Sequence, residues 1–329
     1  MTNEPRTVRI AALDLGTVSS RLLCATVDGG KIVSSTKRTV ITDLGQGVDA
    51  TGQFAPEAVR RVLNACKDFM RDVAAFAPDC VCTTLTSAAR DVSNGDLLLQ
   101  GLDDLGLRPQ VIPGEVEARL TFYGVAHDFP GQRIVVADSG GGSTELAVGA
   151  WVPGAALALD HVRSLNIGCR RVTERFLAGN PPSALELADA AAWAQEQFAA
   201  YWAALPQRPD RLVAVGGTVT SLVAMVHQLE RYDSQFVHLR DLSIAEVRDC
   251  VARMSRLTVD GIAALPGIQP KRAPVILAGA VVIRELMTAG GYDRLTVSEN
   301  SLLAGMAATM YETATNQVPA IGWVPELSY

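Results

Sequence analysis

A segment near the start of the chain, Arg9-Ile-Ala-Ala-Leu-Asp14-Leu-Gly16-Thr17-Val18-Ser19-Ser-Arg21-Leu22, returns in altered form as Arg133-Ile-Val-Val-Ala-Asp138-Ser-Gly140-Gly141-Gly142-Ser143-Thr144-Glu145-Leu146. Asp138 against Asp14, Gly140 against Gly16, Ser143 against Ser19 and Leu146 against Leu22 keep one separation of 124 residues. Internal repetition on this scale restricts the fold to two similar halves. In each half an apolar strand ends on a carboxylate, and a glycine-bearing turn follows. Backbone N–H groups gathered in such a turn make a concave seat for an anion, so two halves gripping one phosphorylated ligand are expected.

Length agrees with that reading, since 329 residues exceed what one core usually organises. With 48 % apolar and 19 % charged residues the chain is globular rather than disordered. Its net charge of −6 argues against a nucleic-acid surface, and any polyanion would need a local basic lining. Arg170, Arg171, Lys271 and Arg272 are candidates for that lining, with solvated surface charge the alternative. Six cysteines (Cys24, Cys66, Cys80, Cys82, Cys169 and Cys250) lack metal-binding spacing and read as buried thiols. The four histidines also lack ligand spacing. The longest apolar run, the nine residues Val275–Ile283, is too short to span a bilayer, and no signal-like segment opens the chain. A soluble cytoplasmic protein is expected.

The first half begins as a meander: strand Val8–Asp14, strand Arg21–Val27, the turn Asp28-Gly29-Gly30, and a strand from Lys31. Because the glycine turn joins two strands rather than opening a helix, a Rossmann or P-loop arrangement is excluded. Apolar residues from Val59 to Val73 at helical spacing predict a helix, as do residues 97–105 and a segment starting near Glu115. In the second half, Ser183 with Glu186 and Ser243 with Glu246 are capping boxes. Gly216-Gly217-Thr218 forms a third glycine turn, read equally as a nucleotide support or as close strand–helix packing. The tail beyond Thr315 is expected to be irregular. The domain boundary is placed near residues 128–132.

Three consecutive glycines are expensive to order, about 1 kcal/mol each relative to alanine, so Gly140–Gly142 points to close approach to a ligand, with a flexible hairpin the alternative. Asp138 and Glu145 flank this loop and would repel a phosphate unless a divalent cation lay between them. Arg90 could clamp a phosphate through its planar fork or sit as a surface arginine. Glu117, in the first turn of its helix, could equally be a partner of the helix dipole.

Taken together these residues resemble the exopolyphosphatase/guanosine pentaphosphate phosphohydrolase (Ppx/GppA) family, in a short two-domain form. The resemblance runs from about residue 8 to 310 and rests on the Asp14–Leu22 loop and on the segments 86–94, 112–124, 134–145, 166–176, 213–224 and 265–286. It implies an α/β fold of two duplicated ribonuclease H-like lobes of the actin–sugar kinase–chaperone ATPase superfamily with an interdomain cleft. The first lobe would span residues 1–130, joined by the C-terminal helix near 302–314, and the second 131–301. It implies Glu117 as general base with Arg90 at the phosphate site. Gly16, Thr17, Val18 and Ser19, and Gly140, Gly141, Gly142, Ser143 and Thr144, would bind phosphate. Asp138, Glu145 and Asp14 would bind Mg2+, or Mn2+ in its place.

The implied reaction is hydrolysis of the terminal phosphate of inorganic polyphosphate, with guanosine pentaphosphate as the alternative substrate. An acetate- or sugar-kinase-like phosphotransferase and a non-catalytic alarmone or polyphosphate sensor are further alternatives. The carboxylates argue against the sensor, because binding a polyanion gains nothing from them. No nucleic acid or membrane partner is expected, and a homodimer is compatible with the family. The chain departs from the family pattern at Val18, where a carboxamide is usual, at Pro113, and in Ser298-Glu299-Asn300.

Overall fold

The computed structural model describes residues 6–328 and divides into two compact units. Unit 1 holds the chain up to Gly131, then Ala150–Ala158, then the chain from Asn300 onward; unit 2 holds Gln132–Gly149 and Leu159–Glu299. Ala150–Ala158, expected with the second lobe, returns to unit 1, where Trp151 accepts a hydrogen bond from the Gly131 amide and packs against Tyr123 and His127.

Unit 1 is built on a five-stranded sheet of β1 (Val8–Leu15), β2 (Ser19–Asp28), β3 (Lys31–Ile41), β4 (Cys80–Leu85) and β5 (Pro109–Val111), in the order β3-β2-β1-β4-β5. Period-two alternation sends Val8, Ile10 and Ala12 to one face and Ala11, Leu13 and Leu15 to the other. Both faces are covered, so central β1 is apolar throughout its interior. Helix Pro56–Phe76 and helix Asp96–Asp103 cover one face; helices Gly114–Ala126 and Leu302–Ala314 cover the other. The latter two cross at near backbone contact. A Cβ on Gly305 would lie 1.8 Å from the Leu120 carbonyl oxygen, and one on Gly124 would lie 2.3 Å from that of Ser301. Helix Gly114–Ala126 is therefore buried along most of its length, Glu117 included, rather than along one stripe. The tail is irregular, as expected, yet it is anchored: Ser328 exchanges two backbone hydrogen bonds with Val81 of β4, beside the short β5.

Unit 2 repeats the plan. Its sheet runs β10-β11-β9-β6-β7-β8, with β6 (Ile134–Ser139), β7 (Thr144–Ala150), β8 (Ala158–Leu165), β9 (Leu212–Val215), β10 (Arg240–Ser243) and β11 (Arg294–Val297). Asp14 pairs with Arg21 in β1/β2 and Asp138 with Glu145 in β6/β7, so the hairpin register is itself carried over by 124 residues. Parallel neighbours follow in both units, β4 beside β1 and β9 beside β6. Both capping boxes form, at Ser183 and Ser243.

The core of unit 2 centres on helix Ala273–Gly290, packed against helix Ala184–Ala203. Counted from Pro270, this segment is 21 residues long and apolar enough to cross a membrane, a property the nine-residue run did not reveal. The difference arises because small and weakly polar residues extend the apolar stretch; 78 % of its most apolar window is buried inside the fold. All six cysteines are buried and unbridged.

Candidate functional site

Both glycine loops are held by one device. In the first, the Gly16 amide donates to the Ser19 carbonyl at 3.0 Å; in the second, the Gly140 amide donates to the Ser143 carbonyl at 3.0 Å. In each loop, carbonyls at the turn are drawn back into the protein. Thr17 O accepts from the Gly45 amide (2.9 Å), and Val18 O accepts from the amides of Thr42 and Asp43 (3.0 and 2.9 Å). In unit 2, Gly140 O accepts from the Cys169 amide (3.0 Å) and Gly141 O from the Arg170 amide (2.8 Å). Gly142 O accepts from Arg171 Nε at 2.9 Å. A trans peptide points its N–H opposite to its C=O. Committing the carbonyl edge of each loop to protein donors thus leaves the N–H edge as the side that can meet an anion.

Two glycines not singled out in the sequence make this possible. A Cβ on Gly45 would strike Thr17 Cγ2 at 2.2 Å, and one on Gly168 would strike the Gly141 carbonyl carbon at 2.5 Å. They lie 123 residues apart, nearly the period of the loops; that near-match is the signal that could have found them. Val18 is also clarified. Its side chain is buried, so a position where a carboxamide is usual contributes packing and backbone here.

Beside the loops the copies differ. Asp14 of unit 1 is 1 % exposed and held by Arg21, with Nε 2.7 Å and Nη2 2.5 Å from Oδ2. Its Oδ1 is buried without a hydrogen-bond partner. In unit 2 the position of Arg21 is taken by Glu145. Asp138 and Glu145 are directly paired across β6/β7, so their carboxylates share one face of the sheet; both are buried. Like charges directly opposed on a sheet destabilise it, and a cation between them would relieve the conflict. Mg2+, which takes one or two carboxylates and fills its remaining positions with water and substrate oxygens, suits this donor set. Among the described residues no group of three or more metal-ligating side chains forms. Asp14, expected as a metal ligand, meets Arg21 through Oδ2, and its Oδ1 has no hydrogen-bond partner.

Glu117 and Arg90, 27 residues apart, are brought together: Arg90 Nη1 lies 2.8 Å from Glu117 Oε2 and also donates to the Ile112 carbonyl at 2.9 Å. Arg90 is thus not a bare surface cation. It ties the end of β5 to the first turn of the helix and compensates a carboxylate that would be costly to bury alone. Of the basic candidates, Arg170 and Arg272 are buried, Arg171 is half-buried and Lys271 is exposed. The third glycine turn is closely packed. A Cβ on Gly216, whose φ is 99°, would lie 3.2 Å from Asp138 Oδ1, and one on Gly217 would lie 2.2 Å from the Arg272 guanidinium.

Two α/β units of one plan, each closing its central hairpin with a glycine loop, make up the fold. The model of the Ppx/GppA phosphatase family matches residues 23–314. Exopolyphosphatase 2 of Mycobacterium tuberculosis is 37 % identical over 319 residues, covering 92 % of this chain and 98 % of that protein. Among solved structures, the Ppx/GppA family member of Aquifex aeolicus superposes with a TM-score of 0.78 at 27 % identity, covering 94 % of this chain and 99 % of its own. An exopolyphosphatase from Cytophaga hutchinsonii gives 0.81 at 25 % identity, covering 93 % and 98 %. The chain belongs to the Ppx/GppA phosphatase family.

Proposed function

We propose that this protein is an exopolyphosphatase that hydrolyses the terminal phosphoanhydride of inorganic polyphosphate with the help of Mg2+. The observation that carries this reading is the pair Asp138 and Glu145, buried on one sheet face at the root of a loop whose carbonyls are all turned away from the anion side. A bound Mg2+ would neutralise charge on phosphate oxygens. Loop amides at Gly16–Ser19 in unit 1 and at Gly140–Thr144 in unit 2 would each bind phosphate oxygens. Glu117, held by Arg90, would take a proton from the attacking water as the new P–O bond forms and the bridging P–O bond breaks. The products are orthophosphate and a chain one phosphate shorter, and the proton returns to solvent. Little covalent chemistry is required, so positioning and charge neutralisation carry the rate. The naming of the Mycobacterium tuberculosis relative as an exopolyphosphatase supports polyphosphate as substrate.

The test is phosphate release from short and long polyphosphate, guanosine pentaphosphate and ATP, for the parent protein and Glu117→Gln. Polyphosphate should be the preferred substrate, and Glu117→Gln should lower kcat by about 10²–10⁴-fold, the usual worth of a general base. Unchanged turnover in Glu117→Gln would remove the base assignment. Faster release from guanosine pentaphosphate would replace the substrate.

A further inference from the structure

Ser164 lies on β8, the polar edge strand of unit 2, and nothing in its sequence neighbourhood marks it for chemistry. Its Oγ donates to Glu145 Oε1 at 2.7 Å. Glutamate turns about three side-chain bonds, so the direction of its carboxylate depends on what holds it. A donor fixed to one oxygen sets the carboxylate plane and leaves fewer orientations to be frozen out when a cation binds.

Comparison of the two copies gives this contact its meaning. The first copy carries Arg21 where the second carries Glu145. On β3 of the first copy the residue directly opposite Arg21 is Thr39. A hydroxyl paired with a carboxylate at this position therefore belongs to the copy that carries Glu145 in place of Arg21.

We propose that Ser164 is a positioning residue that holds the Glu145 carboxylate in the orientation that receives the divalent cation. The proposal rests on the assignment of that cation to Asp138 and Glu145 made above. Partners of this kind, one step removed from the metal, typically change affinity about 10–100-fold when lost.

The test uses Mn2+ as the probe. Its binding to the whole protein is followed by the electron paramagnetic resonance of free Mn2+, without substrate, for the parent, Ser164→Ala, Ser164→Cys, Ser164→Thr and Glu145→Gln. Ser164→Ala and Ser164→Cys should each raise the Mn2+ Kd by about tenfold or more. Ser164→Thr, which keeps the hydroxyl, should stay near the parent value, and Glu145→Gln should lose the site. Thermal unfolding reports whether each variant folds; if Ser164→Ala does not, the contrast between cysteine and threonine carries the result. Parent-like binding in the alanine and cysteine variants, with binding lost in Glu145→Gln, overturns the role of Ser164. Parent-like binding in Glu145→Gln overturns the cation assignment itself, and this proposal with it.

Discussion

Asp14 and Glu145 show how one residue position can separate two copies of a motif. Asp14 is compensated by a cross-strand arginine, whereas Asp138 faces a second carboxylate. The first arrangement is a buried ion pair. Removing one partner of such a pair leaves an uncompensated charge and typically destabilises by about 3–5 kcal/mol. Arg21 retains some exposure, so Arg21→Met should cost roughly 3 kcal/mol by urea denaturation, at the lower end of that range. Adding Asp14→Asn should recover part of the loss. Strict additivity of the two changes would mean that the residues are not energetically coupled. The Arg90–Glu117 pair is likewise a relation between residues distant in sequence. Each residue alone admits a surface reading, and neither neighbourhood announces the other. Pairing across 27 residues became visible only when β5 and the helix starting at Gly114 were placed in space.

At the scale of elements, legibility followed local signals. The Asp28-Gly29-Gly30 turn joins β2 to β3, with Gly29 and Gly30 both at positive φ. Both capping boxes were readable because their donors and acceptors lie three residues apart. The Ser243 box also carries a pH signature. Hydrogen bonds from the backbone and then the side chain of Ser243 hold the Glu246 carboxyl below its ordinary value of 4.5. A depressed carboxylate stabilises the fold fully above that ordinary value and loses the contribution as pH falls through the lower, folded one. Ser243→Ala should therefore lower stability by about 1 kcal/mol at pH 7, and the gap from the parent should narrow as pH falls below 4.5. Thermal melts across that range check it; a gap of constant size would place the effect outside the carboxylate. By contrast β8 and the helix Cys169–Phe176 behind the second loop escaped the sequence reading. β8 is polar and only partly buried, so it lacks the apolar alternation that marks a strand.

At the scale of the whole molecule, the proposed cation links stability to function. A ligand that binds only the folded state raises its stability, by about 2.7 kcal/mol at a hundred times its Kd. Mg2+ should therefore raise the melting temperature of the parent, and chelation should abolish phosphate release until Mg2+ is restored. Asp138→Asn should lose both responses. An unchanged melting temperature in the parent across a Mg2+ titration, with activity that survives chelation, would contradict the metal assignment. The large-scale plan itself was legible because duplication leaves a period. A sheet hairpin tolerates many apolar sequences, but a turn made to present its amides tolerates few, so Asp, Gly and Ser persist at one spacing while the strands around them drift.

The sequence by itself determined the duplication, the α/β class, the two loops and the residues flanking them, since each depends on short-range backbone requirements. Tertiary structure decided which contacts those residues make: Arg21 on Asp14, Arg90 on Glu117, and Gly45 and Gly168 backing the loops. It also decided that Ser164 reaches Glu145. These are contacts between strands and helices far apart in the chain. Their partners are chosen by the register of the sheet, not by any spacing a one-dimensional reading can detect.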